Sequence, residues 1–260
     1  MKEQPKMGVN RTGAQMSPFD STEMKSGIDA MMPPAPGDMS AMAAMRSSYI
    51  VESDTVGSVP VPGSVKGMLQ TGMSALTGNT PQLLIDKLGE RLAFERTGTR
   101  LYDALITKVA AVEEEGIGTI SGERLMQIRN DEAMHVGLVA DAIVRLGADP
   151  TCMTPCADLV GVESLGLMQV LTDPRTTVAQ SLHAILVAEM TDNNGWETLI
   201  ALAEAQGHDD IANDFRTALA NERDHLQQIQ RWFDEAILGD SLPASGASGT
   251  AGGDASPSIH

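Results

Sequence analysis

The chain has 260 residues, with 18 Lys and Arg against 35 Asp and Glu and a net charge of -17, and its pI lies near 4.5. Such a field repels phosphate backbones and no Lys/Arg stripe opposes it, which excludes nucleic acid as a partner; it draws divalent cations instead. Aromatic residues make up 3% of the sequence while Ala, Leu, Ile, Val and Met carry its apolar content, a balance that suits helices packed on helices and predicts an all-α protein.

The N-terminus, Met1-Lys2-Glu3-Gln4-Pro5-Lys6, leads into no apolar segment of signal-peptide type, and no run approaches the roughly eighteen consecutive apolar residues of a membrane span. A cytoplasmic protein without membrane contact is expected. Residues 1–79 are rich in Met, Pro, Gly and Ser and show no sustained period of 3.6 or 2, so they read as an extension that does not fold on its own. Nine of the sixteen methionines fall in the first 45 residues, including Met39-x-x-Met42-x-x-Met45. Thioethers are soft Cu(I) ligands, yet Met is also an adaptable residue of partner-binding surfaces, and contact with a protein partner is the better reading.

Four segments then repeat apolar residues at alternating steps of three and four, the pattern of a helix with one stripe toward a core. The first is expected from the cap pair Thr80-Pro81 to about Val112, with the stripe Leu84, Leu88, Leu92, Glu95, Thr99, Tyr102, Ile106, Val109. The second runs from near Ser121 to a C-terminal cap at Gly147, through Leu125, Ile128, Glu132, His135, Val139, Ala142 and Leu146. The third covers about Thr177 to Gln206, through Val178, Leu182, Ile185, Glu189, Asn193, Trp196, Ile200 and Ala203. The fourth covers about Asp209 to Leu238, through Ile211, Phe215, Ala218, Glu222, His225, Ile229, Trp232 and Ala236. The Gly/Ala/Ser-rich stretch 239–260 reads as a flexible tail.

About eight residues, Glu113 to Ile120, join the first two helices, and only a few join the last two, which predicts two antiparallel hairpins. Residues 148–176 are long enough to cross the length of the bundle between them. In that link Cys152 and Cys156 have the spacing of a redox pair or of half a zinc site, but no third and fourth ligand is near, and reduced, unpaired thiols are expected.

Glu95, Glu132, His135, Glu189, Glu222 and His225 interrupt the apolar stripes at inward positions. Burying one unpaired carboxylate costs several kcal/mol, and four at one level would also repel each other. Two divalent cations would neutralise four glutamates without any buried Lys or Arg; otherwise several must be protonated at neutral pH. In Glu132-x-x-His135 and Glu222-x-x-His225 the three-residue step puts carboxylate and imidazole on neighbouring turns of one face, within reach of one ion. A buried polar network that only fixes helix register is the alternative, and such networks seldom gather four carboxylates and two imidazoles in one layer.

On these residues the chain resembles the ferritin-like di-iron carboxylate superfamily, which includes bacterioferritins and rubrerythrins, over about residues 80–238. One Glu from each of two helices and a Glu-x-x-His from each of the other two is the ligand pattern of that superfamily. The resemblance implies a ferritin-like four-helix bundle, two bound iron ions, and oxidation of Fe(II) by O2 or peroxide. Tyr102, two turns after Glu95, resembles a bacterioferritin tyrosine near the metals; a packed core tyrosine is the other reading. Asp192 resembles the place of an extra rubrerythrin glutamate but is shorter, which favours a solvated or indirect role. Asp131 and Asn221, each just before a Glu-x-x-His, could accept the free imidazole N–H of a ligand histidine on the other helix, or could lie at the surface. His183 and His208 fall off the stripes and are not counted as ligands. The four cysteines of a rubredoxin-type domain are lacking, so peroxide reduction would need an external electron donor. Ferritin cages add a fifth helix where this chain has its tail, so a homo-oligomer as small as a dimer is expected. The run Asp54-Thr55-Val56-Gly57-Ser58-Val59-Pro60 is loosely similar to the peptides that dock ferritin-like cargo inside encapsulin shells, though those usually stand at the C-terminus and end differently. Manganese catalase has a similar ligand set, so iron and manganese both remain open, as does a structural or adaptor role without metal.

Overall fold

The computed structural model describes residues 17–31, 38–62, 81–112 and 120–238. Thr80, residues 113–119 of the expected link between the first two helices, the tail 239–260, and the parts of the extension at 1–16, 32–37 and 63–79 lie outside the described residues. Among the described residues there are eight helices and no strand: α1 (Pro18–Met31), α2 (Ser40–Glu52), α3 (Pro81–Ala111), α4 (Gly122–Arg145), α5 (Pro155–Glu163), α6 (Leu165–Thr172), α7 (Val178–Ala205) and α8 (Asp209–Leu238). None is both long and apolar enough to cross a membrane.

The chain divides into two units, one holding α1 and α2 and the other α3 to α8. The first contains helices where the sequence shows no sustained period, and neither helix buries a residue. Their turns are held locally: Asp38 accepts from the Ser40 backbone N–H at 2.9 Å, and the Ser47 hydroxyl donates to the Ala43 carbonyl at 2.9 Å. Met24, Met39, Met42 and Met45 are exposed.

In the second unit the four long helices follow the four apolar stripes, and their ends carry the chemistry that ends a helix. Ser121 caps α4 by accepting from the Arg124 N–H at 3.2 Å. Thr177 and Gln180 form a reciprocal capping box at α7, with bonds of 2.8 and 3.2 Å. Gly147 and Gly207, with φ of 81° and 79°, close α4 and α7 with paired Schellman bonds. Ala148 N–H reaches the Ile143 carbonyl at 3.1 Å, and His208 N–H reaches that of Ala203 at 2.9 Å.

Two apolar clusters fix the topology. One joins Leu101 and Leu105 late in α3, Leu125 and Ile128 early in α4, Leu182 and Ile185 early in α7, and Ile229 and Trp232 late in α8. The other joins Leu84 and Leu88 early in α3, Val139 and Ala142 late in α4, Leu199 and Ala203 late in α7, and Ile211 and Phe215 early in α8. α3 and α8 therefore run one way and α4 and α7 the other. The chain leaves α4 at one end of the bundle and must enter α7 at the other, which gives two antiparallel hairpins joined by a single long crossover, the ferritin-like arrangement.

That crossover is not the plain link expected from sequence, because α5 and α6 lie within it and pack on α3. Thr154 caps α5 with Pro155 in its first turn, and Ala157, Val160 and Leu171 are buried. Its far end is tied down by Lys108, whose ammonium donates to the carbonyls of Val170 at 3.5 Å, Asp173 at 3.0 Å and Thr176 at 3.4 Å, and to the Thr176 hydroxyl.

Candidate metal centre

Between the two apolar clusters the bundle is polar. Glu95 comes from α3, Glu132 and His135 from α4, Glu189 from α7, and Glu222 and His225 from α8. All six are at most 3% exposed.

Their donor atoms converge. His135 Nδ1 lies 2.6 Å from Glu222 Oε1 and 3.6 Å from Glu95 Oε2. His225 Nδ1 lies 3.2 Å from Glu222 Oε2 and 3.5 Å from Glu132 Oε1. Glu222 thus turns one oxygen to each imidazole. Three overlapping sets result, Glu132, Glu189, Glu222 and His225 on one side, Glu95, His135 and Glu222 on the other, and Glu95, Glu132, Asp192 and Glu222 between them, each with donor atoms within 4.8 Å of one another. Glu222 belongs to all three.

Hydrogen bonds do not account for this layer. Glu95 Oε2, both Glu132 oxygens, both His135 nitrogens, Glu189 Oε2 and Glu222 Oε1 are buried without a hydrogen-bond partner; His135 Nδ1 is close to Glu222 but not aligned for one. An orphaned buried group costs about 1–3 kcal/mol, and more when charged. Oxygen and imidazole donors in this number suit hard to borderline divalent cations such as iron and manganese. The residues present therefore fit a pair of metal ions, on donor chemistry and on the orphaned atoms alike.

Proton affinities show the same imbalance of charge. Burial, then the neighbouring Glu222, pushes Glu132 well above the usual carboxylate range, and the same two causes raise Glu189 to about 8. Burial would raise Glu222 too, but the adjoining imidazoles of His135 and His225 hold it down to about 2. Burial would lower both imidazoles; instead Glu222 and Glu95 lift His135 to about 9, and Glu132 and Glu222 lift His225 to about 11. Protons neutralise the layer at the atoms where a cation would compete with them.

Around the six residues the structure corrects the sequence reading in one respect. Arg91 is 3% exposed, so the layer does include a buried cation. Its guanidinium forms an ion pair with the Asp192 carboxylate, donates to the Asp192 carbonyl at 3.2 Å and reaches Glu95 Oε1 at 3.4 Å. It also stacks over Phe94 at 4.6 Å and Trp196 at 5.7 Å. Asp192 is buried rather than solvated, and together with Arg91 it adds no net charge, so the four glutamates still balance two divalent ions. Gly195, a mid-helix glycine, leaves room for it: a Cβ there would lie 2.6 Å from Arg91 Nη2.

The Tyr102 hydroxyl donates to Glu189 Oε1. Burial first, then the Glu189 and Glu132 charges, raise it well above the ordinary phenol value. Asp131 meets the far nitrogen of His225, Oδ2 to Nε2 at 3.2 Å, across from α4 to α8. Asn221 does not do the same for His135, whose Nε2 has no partner. Asn193 donates from its amide to the carbonyls of both Glu189 and Glu222 at 3.0 Å, tying α7 to α8 beside the layer. His183 is exposed and lies 5.6 Å from the Phe233 ring, away from the layer. Cys152 and Cys156 are free thiols outside the candidate metal groups, and burial, with Asp86 nearby, pushes Cys156 up to about 12.

No protein-family model matches the chain, and no curated protein matches it. Among solved structures it is similar to one described as ferritin like, diiron-carboxylate proteins from Bacillus anthracis str. Ames, at 18% identity and a TM-score of 0.45, over 58% of this chain and 94% of that one. The side chains described above, rather than that similarity, carry the functional reading.

Proposed function

We propose that the bundle is a di-iron oxidoreductase that binds two iron ions through Glu95, Glu132, His135, Glu189, Glu222 and His225 and couples Fe(II) oxidation to reduction of O2 or peroxide. The observation that carries this reading is the convergence of four buried carboxylates and two imidazoles with orphaned donor atoms at one level of an otherwise apolar bundle. A redox-active metal pair held by these residues would supply the electrons for reducing O2 or peroxide.

The protein's own contributions follow from the geometry. Glu222 faces both imidazoles and would be a donor shared by the two ions. Asp131 orients the His225 ring through its far nitrogen, leaving Nδ1 toward the carboxylates. Tyr102 keeps its proton, orients Glu189 with it, and stands near enough to take part as a hydrogen-bond or electron donor. Trp196 and Phe215, fully buried with rings 5.1 Å apart, exclude water from one side. Repeated peroxide reduction draws on an external electron donor. The free thiols accord with the reducing cytoplasm, and a homodimer is the assembly proposed.

Anaerobic purification with elemental analysis tests the reading, followed by addition of Fe(II) and then O2 or peroxide while the near-ultraviolet absorption of oxidised iron is followed. About two iron ions per chain and a rise in that absorption are expected. No uptake and no absorption would retire the oxidase, and manganese with rapid peroxide dismutation would replace it by a catalase.

A further inference from the structure

The two halves of the polar layer are built differently, and each difference favours the same half. Glu132, Glu189, Glu222 and His225 converge in one half and Glu95, His135 and Glu222 in the other, with Glu95, Glu132, Asp192 and Glu222 grouped between them, so what separates the halves is what stands behind each donor set. Behind His225 the Asp131 carboxylate holds Nε2 at 3.2 Å. A carboxylate in that place fixes the tautomer and makes the ring a better donor, and its loss typically weakens metal binding about 10- to 100-fold. Behind His135 there is no such partner: Nε2 is unpaired, and the Trp196 ring meets the imidazole edge-on at 5.5 Å.

The Arg91 guanidinium adds to the contrast. It sits 3.4 Å from Glu95 Oε1, so the carboxylate that stands beside His135 already has a cationic neighbour, while no such contact reaches Glu189 beside His225 among the described residues. Asp192 could join Glu95, Glu132 and Glu222 as a further donor, but Arg91 engages its carboxylate.

We infer that the two metal positions are unequal: a divalent cation fills the position of Glu132, Glu189, Glu222 and His225 first and more tightly, and the position of Glu95, His135 and Glu222 fills second. This rests on the di-metal reading and deepens it. A chain with one ion per bundle is then a populated state, and two different metals can occupy the two positions in a fixed order.

Titration of the metal-free full-length chain with Mn(II), following the electron paramagnetic resonance signal of free Mn(II), separates the outcomes. Two steps at least about tenfold apart in affinity are expected. Asp131→Ala and the shape-preserving Asp131→Asn should weaken the first step, the alanine variant by about 10- to 100-fold, and leave the second unchanged; Asp131 is near the surface, and circular dichroism confirms folding. His135→Ala should remove the second step and keep the first, and His225→Ala should do the reverse. Crystals soaked with one equivalent of Mn(II) should show an anomalous peak beside His225. Two ions bound with equal affinity, an unchanged first step in both Asp131 variants, or a first peak beside His135 would overturn the order of filling while leaving the di-metal reading intact. No Mn(II) bound at all would end both.

Discussion

A glycine inside a helix costs roughly 0.5–1 kcal/mol relative to alanine, so Gly98 in α3 and Gly195 in α7 call for a reason, and each has one in a polar group of the layer. A Cβ on Gly98 would stand 2.4 Å from Glu132 Oε2, and one on Gly195 would stand 2.8 Å from Arg91 Cζ. Gly98→Ala should therefore push Glu132 off its position and weaken Mn(II) or Fe(II) binding by an order of magnitude or more, with a far smaller effect on the melting of the metal-free protein. Arg91 supports a second expectation. Arg91→Leu leaves the Asp192 carboxylate buried and unpaired and should destabilise the fold by about 3–5 kcal/mol, whereas Arg91→Met with Asp192→Leu should recover most of that loss. Urea unfolding of Arg91→Leu and of the double variant measures both. The six inward residues were legible because they break a regular stripe at its middle. Arg91 was not, since it stands at the edge of the α3 stripe, one residue before Leu92, and step counting cannot tell whether a long side chain there turns toward the core or toward water.

At the scale of elements, periodicity found the four long helices because each has several turns over which a stripe can repeat. α5 and α6, with nine and eight residues, are too short to show one, and the sequence left them inside a link. A local sign was nonetheless present, since Thr154-Pro155 at the start of α5 repeats the Thr-Pro sequence of Thr80-Pro81, from which a helix start was expected. The helices of the extension were missed for another reason: with no buried residue they have no apolar face for a pattern to report. What holds the crossover to the bundle is concentrated at Lys108, whose ammonium has three donors and reaches three backbone carbonyls and a hydroxyl just before the α7 cap. Lys108→Met keeps the aliphatic stem and removes the bonds. It should lower stability by about 1–3 kcal/mol and raise hydrogen exchange first around residues 170–177, with metal affinity little changed. Exchange that rises evenly over the whole bundle would show that the clamp is not local.

For the whole molecule, the question is whether the net charge of -17 or the buried layer governs cation uptake, and pH and salt separate the two. Surface charges act through solvent and are screened beyond about 10 Å at 0.1 M salt, while the layer is buried and screened much less. In the metal-free protein His135 at about 9, His225 at about 11 and Glu189 at about 8 all hold protons at pH 7. A cation must displace protons from the donors it takes, so protons and metal compete, and affinity must rise as pH rises. Lowering the pH from 8 to 6 should weaken Mn(II) binding steeply, whereas raising salt from 0.05 to 0.5 M should weaken it only modestly. Calorimetry at pH 7 in buffers of differing ionisation enthalpy should count about two or more protons released per pair of ions, the two imidazolium protons being the minimum. If binding released no protons and followed salt rather than pH, the ions would be held by the acidic surface, and the buried carboxylates and imidazoles would have to be neutralised by protons alone.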